Sequence, residues 1–223
     1  MTAGRPPRGR RPADLVAAAR AAGVRDPRVL AALGRVPRDA FVPRGVAHHA
    51  YADVPIPIPG GQVTSQPSLI AAMIEALDLH GTETVLEVGT GHGFQTALLA
   101  SLAAEVWSVE RLPTLAAAAR ANLAARGVTN AHVVVGDGTE GLAAHAPYDA
   151  IVVSAAFPAV PPPLAAQLAP GGRLVQPIGP GGDERVVLFV RDPDGLRLAR
   201  RITDATFVPL VGRHGFAERD VTR

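Results

Sequence analysis

Short apolar runs rich in Val and Ile alternate with helix-like segments through the middle of the chain. The runs are predicted strands of five or six residues, at 84–88, 105–110, 131–135 and 150–154. The segments around them are predicted helices, at 67–79, 93–103 and 113–126. Apolar strands separated by helices are typical of a parallel sheet that is covered on both faces. The alternation therefore predicts an α/β fold with an open, mostly parallel sheet and helices on both faces.

The C-terminal third continues this sheet with a different spacing of elements. A predicted helix at 161–168 leads into a predicted strand at 172–178. Two further predicted strands, at 185–190 and about 196–209, follow each other closely enough to form a hairpin. We therefore expect these two strands to close the sheet.

Two short helices are predicted before the sheet begins, at 13–22 and 27–34. The second opens with Asp26 as its N-cap and Pro27 at its first helical position, which is a common start signal. Residues 36–63 contain five prolines and a pair of adjacent glycines, so this stretch is predicted to be extended, irregular backbone. Loops of this length inside a compact domain are usually functional or disordered.

Composition narrows the possible chemistry. The chain has 223 residues, 48% of them hydrophobic, which is enough for the core of one globular domain. It contains no cysteine, which excludes disulfides, thiolate nucleophiles and Cys-ligated metal sites. All 22 basic residues are arginine, which excludes Schiff-base chemistry and the lysine-containing phosphate loop. The histidines show no metal-ligand spacing with carboxylates, so no metal is expected.

Charge and hydropathy indicate whether the chain could span a membrane or bind nucleic acid. Charged residues make up 19% of the chain, and no apolar run approaches the roughly 20 residues of a membrane span. The sequence therefore predicts a soluble, cytoplasmic protein without membrane contact. The formal net charge is only +2, and four arginines cluster in the Pro/Gly-rich residues 1–12. We interpret that stretch as a solvated, disordered tail rather than as a nucleic-acid contact.

A glycine motif follows the first strand of the series. In VLEVGTGHG, residues 85–93, a buried strand runs into Gly89, Gly91 and Gly93 and then into a helix. The missing side chains let a nucleotide-like ligand approach the backbone and the helix N-terminus. The dinucleotide fingerprint needs a sixth-position glycine, where this chain has Phe94, so the spacing fits the nucleoside loop of S-adenosylmethionine-dependent methyltransferases instead. A plain strand-to-helix turn is the alternative.

Two carboxylates follow the next two strands. Glu110 lies 21 residues after Gly89, at a strand end where a carboxylate can accept both hydroxyl hydrogens of a ribose. Asp137, in the GDG segment at 136–138, lies at the carboxyl edge of the sheet, and an adenine amino group is its expected partner. The alternatives are a solvated strand end for Glu110 and a turn residue that caps its own backbone for Asp137.

Further segments make the chain similar to one family of methyltransferases. It resembles protein-L-isoaspartate O-methyltransferases from about residue 24 to about residue 216. The glycine loop is shared by methyltransferases at large, whereas three segments are particular to this family: PRDAFVP (37–43), GQ-xx-SQP (61–67) and FVPLVG (207–212). The resemblance implies a Rossmann-like S-adenosylmethionine-dependent methyltransferase fold with a short N-terminal helical addition.

The resemblance also implies which residues bind the methyl donor, S-adenosylmethionine. The glycines of the loop would hold its methionine part, Glu110 its ribose, and Asp137 with Gly138 its adenine, which Arg111 would flank. Glu87 matches the family's acid before the glycines, and we expect it to fix the loop through backbone N–H groups. The donor-binding residues implied in this way are Glu87, Gly89, Thr90, Gly91, Gly93, Glu110, Arg111, Asp137 and Gly138.

The same resemblance assigns the methyl acceptor to the SQP segment. Ser65 matches the family's active-site serine, and it lies just before Pro67, where a helix begins and free N–H groups suit a carboxylate. A helix-capping serine is the alternative. The substrate-binding residues implied by the resemblance are Thr64, Ser65, Gln66, Val208 and Pro209.

Two departures from the family pattern lie close to these residues. Val63-Thr64 stands where the family usually has Thr-Ile, which moves a hydroxyl by one position. In the glycine loop His92 and Phe94 replace the usual Ser and Tyr. We expect donor binding to survive both changes and only details of the pocket to differ, with an exposed loop position as the alternative for His92.

The implied activity is methyl transfer to the α-carboxylate of L-isoaspartyl residues in damaged proteins or peptides, with S-adenosylhomocysteine as the second product. The protein is expected to be a monomer. One alternative is a tailoring enzyme that methylates a normal aspartate in a ribosomally made peptide and so forms an aspartimide. Such relatives often carry an added C-terminal region, and this chain ends soon after FVPLVG, which favours repair. The other alternative is a noncatalytic donor-binding or nucleic-acid-associated module.

With these assignments the chain divides into four parts. Residues 1–12 form the predicted disordered tail, and residues 13–66 hold the N-terminal helices and the substrate loop. The methyltransferase domain is predicted at 67–216, and a C-terminal tail at 217–223.

Overall fold

The structure is a computed structural model that describes residues 11–180 and 182–218. The predicted N-terminal tail therefore lies almost wholly outside the described residues, as does most of the predicted C-terminal tail. Pro12 already belongs to the first helix, which begins one residue earlier than expected. No helix in the described ranges is both long and apolar enough to cross a membrane.

The helices agree closely with the sequence prediction. Within the described residues the α-helices are α1 (Pro12–Ala21), α2 (Pro27–Arg35), α3 (Pro67–Leu77), α4 (Phe94–Ala100), α5 (Pro113–Ala125) and α6 (Pro162–Gln167). All except α4 begin with proline, whose fixed φ suits a helix start and whose missing N–H would have no partner there. Gly93, with φ 93°, instead precedes α4.

The strands form one large sheet and one small hairpin. They are β1 (Ile56–Ile58), β2 (Gln62–Thr64), β3 (Thr84–Val88), β4 (Glu105–Glu110), β5 (Ala131–Val135), β6 (Tyr148–Val153), β7 (Leu168–Ile178), β8 (Glu184–Asp192) and β9 (Gly195–Ala205). The large sheet has the order β5-β4-β3-β6-β7-β8-β9. The first five strands in this order pair in parallel, and β8 pairs antiparallel with both β7 and β9. This confirms the predicted open, mostly parallel sheet and its closing hairpin.

The chain order of the strands determines where a ligand can bind. From β3 the chain moves outward through β4 to β5, and it then returns to the other side of β3 with β6. In an open α/β sheet such a reversal leaves a crevice at the carboxyl ends of the two diverging strands. The residues that follow β3 and β6 are therefore placed at the mouth of this crevice.

Alternating residues of the strands build two cores, one on each face of the sheet. On one face Val85 packs with buried residues of α1 to α5. On the other face Leu86 and Ile151 pack with Leu164 of α6 and with Leu210. Helices thus cover both faces, as expected, but among the described residues five of them pack on the first face and only α6 packs on the second. Glu87 follows Leu86 and returns to the first face, where α4 lies.

Residues 36–63 differ from the expected irregular backbone. They contain two 3-10 helices, Arg38–Phe41 and Arg44–His49, and the antiparallel hairpin of β1 and β2. Short 3-10 turns and three-residue strands are too brief to produce a hydrophobic periodicity, so the sequence pattern did not reveal them. The hairpin lies over the glycine loop, since a Cβ added at Gly91 would be 3.3 Å from the side chain of Ile58.

Candidate active site

A cleft of about 940 Å³, including its open mouth, lies at the carboxyl ends of β3, β4 and β6. Ten of the predicted site residues line it: Thr64, Ser65, Gly89, Thr90, Gly91, Glu110, Arg111, Gly138, Val208 and Pro209. The described lining does not include the other four, which are Gln66, Glu87, Gly93 and Asp137. The fold therefore brings residues predicted for the donor and for the acceptor into one cavity.

The glycine loop needs glycine for two different reasons. Gly89, Gly91 and Gly93 have φ values of 94°, 56° and 93°, a left-handed region that residues with a Cβ rarely adopt. Gly89 and Gly91 border the cleft, where missing side chains leave the backbone open to a ligand. A Cβ at Gly93 would instead touch Leu123 and Ala119 of α5. Gly93 thus allows helix packing beside the loop.

Glu110 is held in place before any ligand arrives. Its side chain is buried, and the backbone N–H groups of Gly91 and Leu112 donate to its two oxygens at 2.9 and 3.0 Å. An ionised carboxylate offers about four lone-pair sites, so two remain for further donors. Because Glu110 also lines the cleft, these sites can accept hydrogen bonds from a diol.

Glu87 is fixed differently from the expectation. Its Oε1 accepts from Gln95 Nε2 at 3.0 Å, and its Oε2 accepts from Thr96 Oγ1 at 2.5 Å and from Ser108 Oγ at 2.6 Å. The expectation of backbone N–H donors was therefore wrong: the donors are side chains of α4 and β4. Ser108 pairs with Glu87 across the parallel strands, and its hydroxyl also bonds to Thr90 at 2.5 Å, so the network reaches the cleft.

The buried Glu87 makes the stability of the protein depend on pH. Burial raises its pKa to about 7, from an ordinary value of 4.5, although its three donors favour the ionised form. The folded protein then holds this proton more tightly than the unfolded chain does, so stability falls as pH rises from about 4.5 to about 7. Glu87→Gln removes this titration. We expect the stability lost between pH 5 and pH 7 to shrink by on the order of 2 kcal/mol, measured by urea unfolding. Equal losses in variant and parent would contradict this.

Asp137 holds the C-terminal segment against the end of β5. Its Oδ1 accepts from the N–H and the hydroxyl of Thr139, and its Oδ2 accepts from the N–H of Arg213 at 2.7 Å. Burial favours a higher pKa for Asp137, but the donors from Arg213 and Thr139 outweigh it and the pKa is lowered. The bonds to Thr139 are those of a turn residue, whereas the bond from Arg213 ties down a distant segment. The contact between Asp137 and adenine stays a prediction, and the neighbouring Gly138 is the residue of this segment that lines the cleft.

The helix after Ser65 is capped by another residue. The N-cap of α3 is Gln66, whose side chain does not cap the helix. Asp53 caps it instead, because its Oδ1 accepts from the N–H of Ser68 at 2.8 Å and its Oδ2 accepts from Ser68 Oγ and Gln66 Nε2. Ser65 is therefore not the capping serine of the alternative interpretation, and it lines the cleft.

Several residues of the cleft lining were not predicted as site residues. Gln95 donates to Ser154 Oγ at 2.9 Å, which joins α4 to the end of β6 inside the cleft. His92 also lines the cleft rather than standing in an exposed loop, and burial lowers its pKa. Ser154 was included in the predicted strand 150–154, and its place as the polar last residue of that apolar run is the signal that could have identified it. Across the described ranges, no group of three or more His, Asp or Glu side chains could hold a metal ion.

Sequence comparison finds close relatives over most of the chain. A sequence model of the protein-L-isoaspartate(D-aspartate) O-methyltransferase family matches residues 10–215. A protein-L-isoaspartate O-methyltransferase of Methanoculleus marisnigri is 51% identical over 197 residues, which cover 88% of this chain and 89% of the relative. One from Anaeromyxobacter dehalogenans is 53% identical over 190 residues, or 84% of this chain and 91% of the relative.

Structural comparison points in the same direction. A solved protein-L-isoaspartate O-methyltransferase superposes with a TM-score of 0.80 at 28% identity, covering 92% of this chain and 67% of that chain. A Plasmodium falciparum protein named for the same activity, solved in complex with S-adenosyl-L-homocysteine, gives a TM-score of 0.78 at 20% identity, covering 92% and 99%. At that identity the second likeness shows the fold alone.

Proposed function

The chain belongs to the protein-L-isoaspartate(D-aspartate) O-methyltransferase family, and from this premise we propose how its residues divide the work of that reaction. The protein is an S-adenosylmethionine-dependent methyltransferase that modifies the α-carboxylate of L-isoaspartyl residues and so begins their repair. The observation that carries the assignment of roles is the cleft itself, which is lined both by Glu110 with the glycine loop and by Ser65 with Val208.

The cleft suits S-adenosylmethionine. Glu110 retains two acceptor sites for the ribose hydroxyls, and the backbone at Gly89 and Gly91 is open for the methionine part. Gly138 borders the same space, and we assign the adenine to it, with Arg111 beside it. When bound, S-adenosylmethionine supplies an electrophilic methyl group on a positively charged sulfur.

The chain needs no general base for this reaction. The free α-carboxylate of an isoaspartyl residue has a pKa of about 3.5 and is already ionised at neutral pH. The protein therefore has to bind, orient and align the carboxylate, and good alignment contributes roughly 7 to 11 kcal/mol to lowering the barrier. We assign this orientation to Ser65, with Thr64, Val208 and Pro209 around the acceptor. The methyl ester is a better acyl donor than the carboxylate, because its C–O bond breaks with release of methanol. The following backbone nitrogen therefore attacks the ester carbonyl, passes its proton to the departing methoxy group and closes a succinimide unaided.

Ser65→Ala tests the acceptor side of this assignment. Because the hydroxyl is expected to act on the substrate carboxylate, turnover should fall on the order of tenfold while the Kd of the donor changes by less than about twofold. Turnover is measured with an isoaspartyl peptide at saturating donor. Ser101→Ala is the matched control, since that hydroxyl donates to the carbonyl of Leu98 at the end of α4, away from the cleft. Weaker donor binding with intact turnover would move Ser65 to the donor site.

We further propose that the protein works as a monomer in the cytoplasm and without a metal. In the described lining of the cleft Glu110 is the one carboxylate, whereas hard divalent cations take several oxygen ligands. Activity should therefore survive treatment with EDTA, and loss that Mg²⁺ restores would contradict the proposal. Light scattering of the active protein tests the monomer.

A further inference from the structure

Arg38 is the largest fully buried side chain of the described residues. It belongs to the PRDAFVP segment, in the 3-10 helix Arg38–Phe41. A buried charge is costly unless it is surrounded by partners. Here the partners are backbone carbonyl oxygens. Nη1 donates to Ala50 and Ala52 at 3.1 and 3.0 Å, and Nη2 donates to Val54 and Ser65, both at 3.0 Å.

Two of these hydrogen bonds join the two ends of the hairpin formed by β1 and β2. Val54 lies two residues before β1, and Ser65 directly follows β2. A single nitrogen, Nη2, therefore bridges the base of the hairpin, while Nη1 holds the chain that leads into it. A guanidinium suits this task because its donors point in fixed directions within one plane.

Asp53 completes the arrangement from the other side of Ser65. Its carboxylate caps α3 through Ser68 and Gln66, and its charge favours the protonated form of Arg38. Burial lowers the pKa of Arg38 to about 10, so the side chain remains cationic at neutral pH. Ser65 is thus held through its own carbonyl on one side and through the capped helix on the other. Neither restraint uses its hydroxyl.

We propose that Arg38 is a positioning residue of the methyl-transfer site, which fixes the backbone of Ser65 so that its hydroxyl points at the substrate carboxylate. This inference rests on the role proposed for Ser65 above. Arg38 itself is not among the lining residues of the cleft; its guanidinium carbon lies 5.7 Å from the ring centroid of Phe94, which does line it. It acts on the reaction through Ser65.

Arg38→Lys is the test, because lysine keeps the charge but cannot span four carbonyl oxygens with one compact ammonium group. A 1 Å misplacement of reacting groups costs about a hundredfold in rate. Because Arg38 is proposed to act through the Ser65 hydroxyl, the loss cannot exceed that of Ser65→Ala, and we expect kcat/KM for an isoaspartyl peptide to fall on the order of tenfold. Arg191→Lys is the matched control: its Nη1 donates to the carbonyls of Ala165, Ala166 and Leu168, outside the cleft. That variant should lose stability without losing kcat/KM.

A double-mutant cycle separates positioning from general stabilisation. If Arg38 acts through Ser65, the double variant with Arg38→Lys and Ser65→Ala should be no more than about threefold less active than Ser65→Ala alone. Losses that multiply would overturn the positioning role and leave the role of Ser65 standing. Normal activity of Ser65→Ala alone would instead contradict the proposed role of Ser65, and the inference on Arg38 would fall with it.

A second variant protects the test against misfolding. Arg38→Gln removes the buried charge and retains two donors, so it replaces Arg38→Lys in the cycle if the lysine variant does not fold. Thermal unfolding and donor binding show whether each variant is folded. Failure of both variants to fold, while Arg191→Lys folds, would make Arg38 a folding residue and overturn the inference.

Discussion

A peptide that contains L-isoaspartate gains one methyl mass when incubated with the protein and S-adenosylmethionine, whereas the same peptide with normal L-aspartate is expected to react about a hundredfold more slowly. The isoaspartyl linkage adds a methylene to the backbone and offers an α-carboxylate. Ser65 and Pro209 line the cleft, and if they align that group as proposed, the β-carboxylate of aspartate is misplaced. Initial rates for the two peptides, followed by mass spectrometry, measure the ratio.

The matched aspartyl peptide controls for sequence and charge, and a peptide with alanine at the same position gives the background. Several unrelated isoaspartyl peptides should all react, because repair acts on damaged sites wherever they arise. Equal methylation of the aspartyl peptide, or reaction of a single peptide sequence only, would contradict repair and favour the tailoring activity.

Replacing Glu110 by alanine should weaken donor binding by 1 to 3 kcal/mol, or roughly 5- to 150-fold in Kd. The substitution removes the proposed acceptor for two ribose hydroxyls, and it also leaves the N–H groups of Gly91 and Leu112 without their carboxylate. The glycine loop would then lose part of its support. Both effects act on the donor side of the cleft, and calorimetric titration with S-adenosylmethionine measures them together.

Glu105→Ala is the matched control for this prediction. Glu105 lies at the other end of the same strand, where its carboxylate is 3.2 Å from His132 and far from the glycine loop. Its removal should leave the Kd of the donor unchanged. If Glu110→Ala bound S-adenosylmethionine as tightly as the parent protein does, Glu110 would not be a donor-binding residue.

The parallel part of the central sheet could be predicted from the sequence because its strands are short, mostly apolar runs rich in β-branched residues between helices. The predicted strands at 84–88, 105–110 and 131–135 agree with β3, β4 and β5 at both ends. Both faces of β3 are buried and most of β4 is, so local sequence and tertiary environment favour the same conformation there. The edge strand β5 is more exposed, but its apolar, β-branched residues still indicate a strand. Because the ends of these strands were predicted correctly, the glycine loop and Glu110 could be identified as residues that reach the crevice.

Polar groups of the site could not be assigned partners from the sequence. The donors to Glu87 come from Ser108 on the neighbouring strand and from α4, and which residue faces Glu87 depends on the register of the parallel pair. The bonds of Asp137 to Arg213 likewise depend on where the C-terminal segment crosses β5. In each case the partner is distant along the chain and is chosen by packing.

The sequence by itself determined the α/β class, most helix and strand positions, and, through the resemblance of its motifs, the family to which the chain belongs. Only the tertiary structure decided how residues 36–66 serve the site. There Arg38 bonds to carbonyls 12 to 27 residues away, and Asp53 caps a helix that begins 14 residues later. The physical reason is that hydrophobic periodicity records only which positions are buried, whereas a buried charge takes whichever backbone groups the fold brings to it.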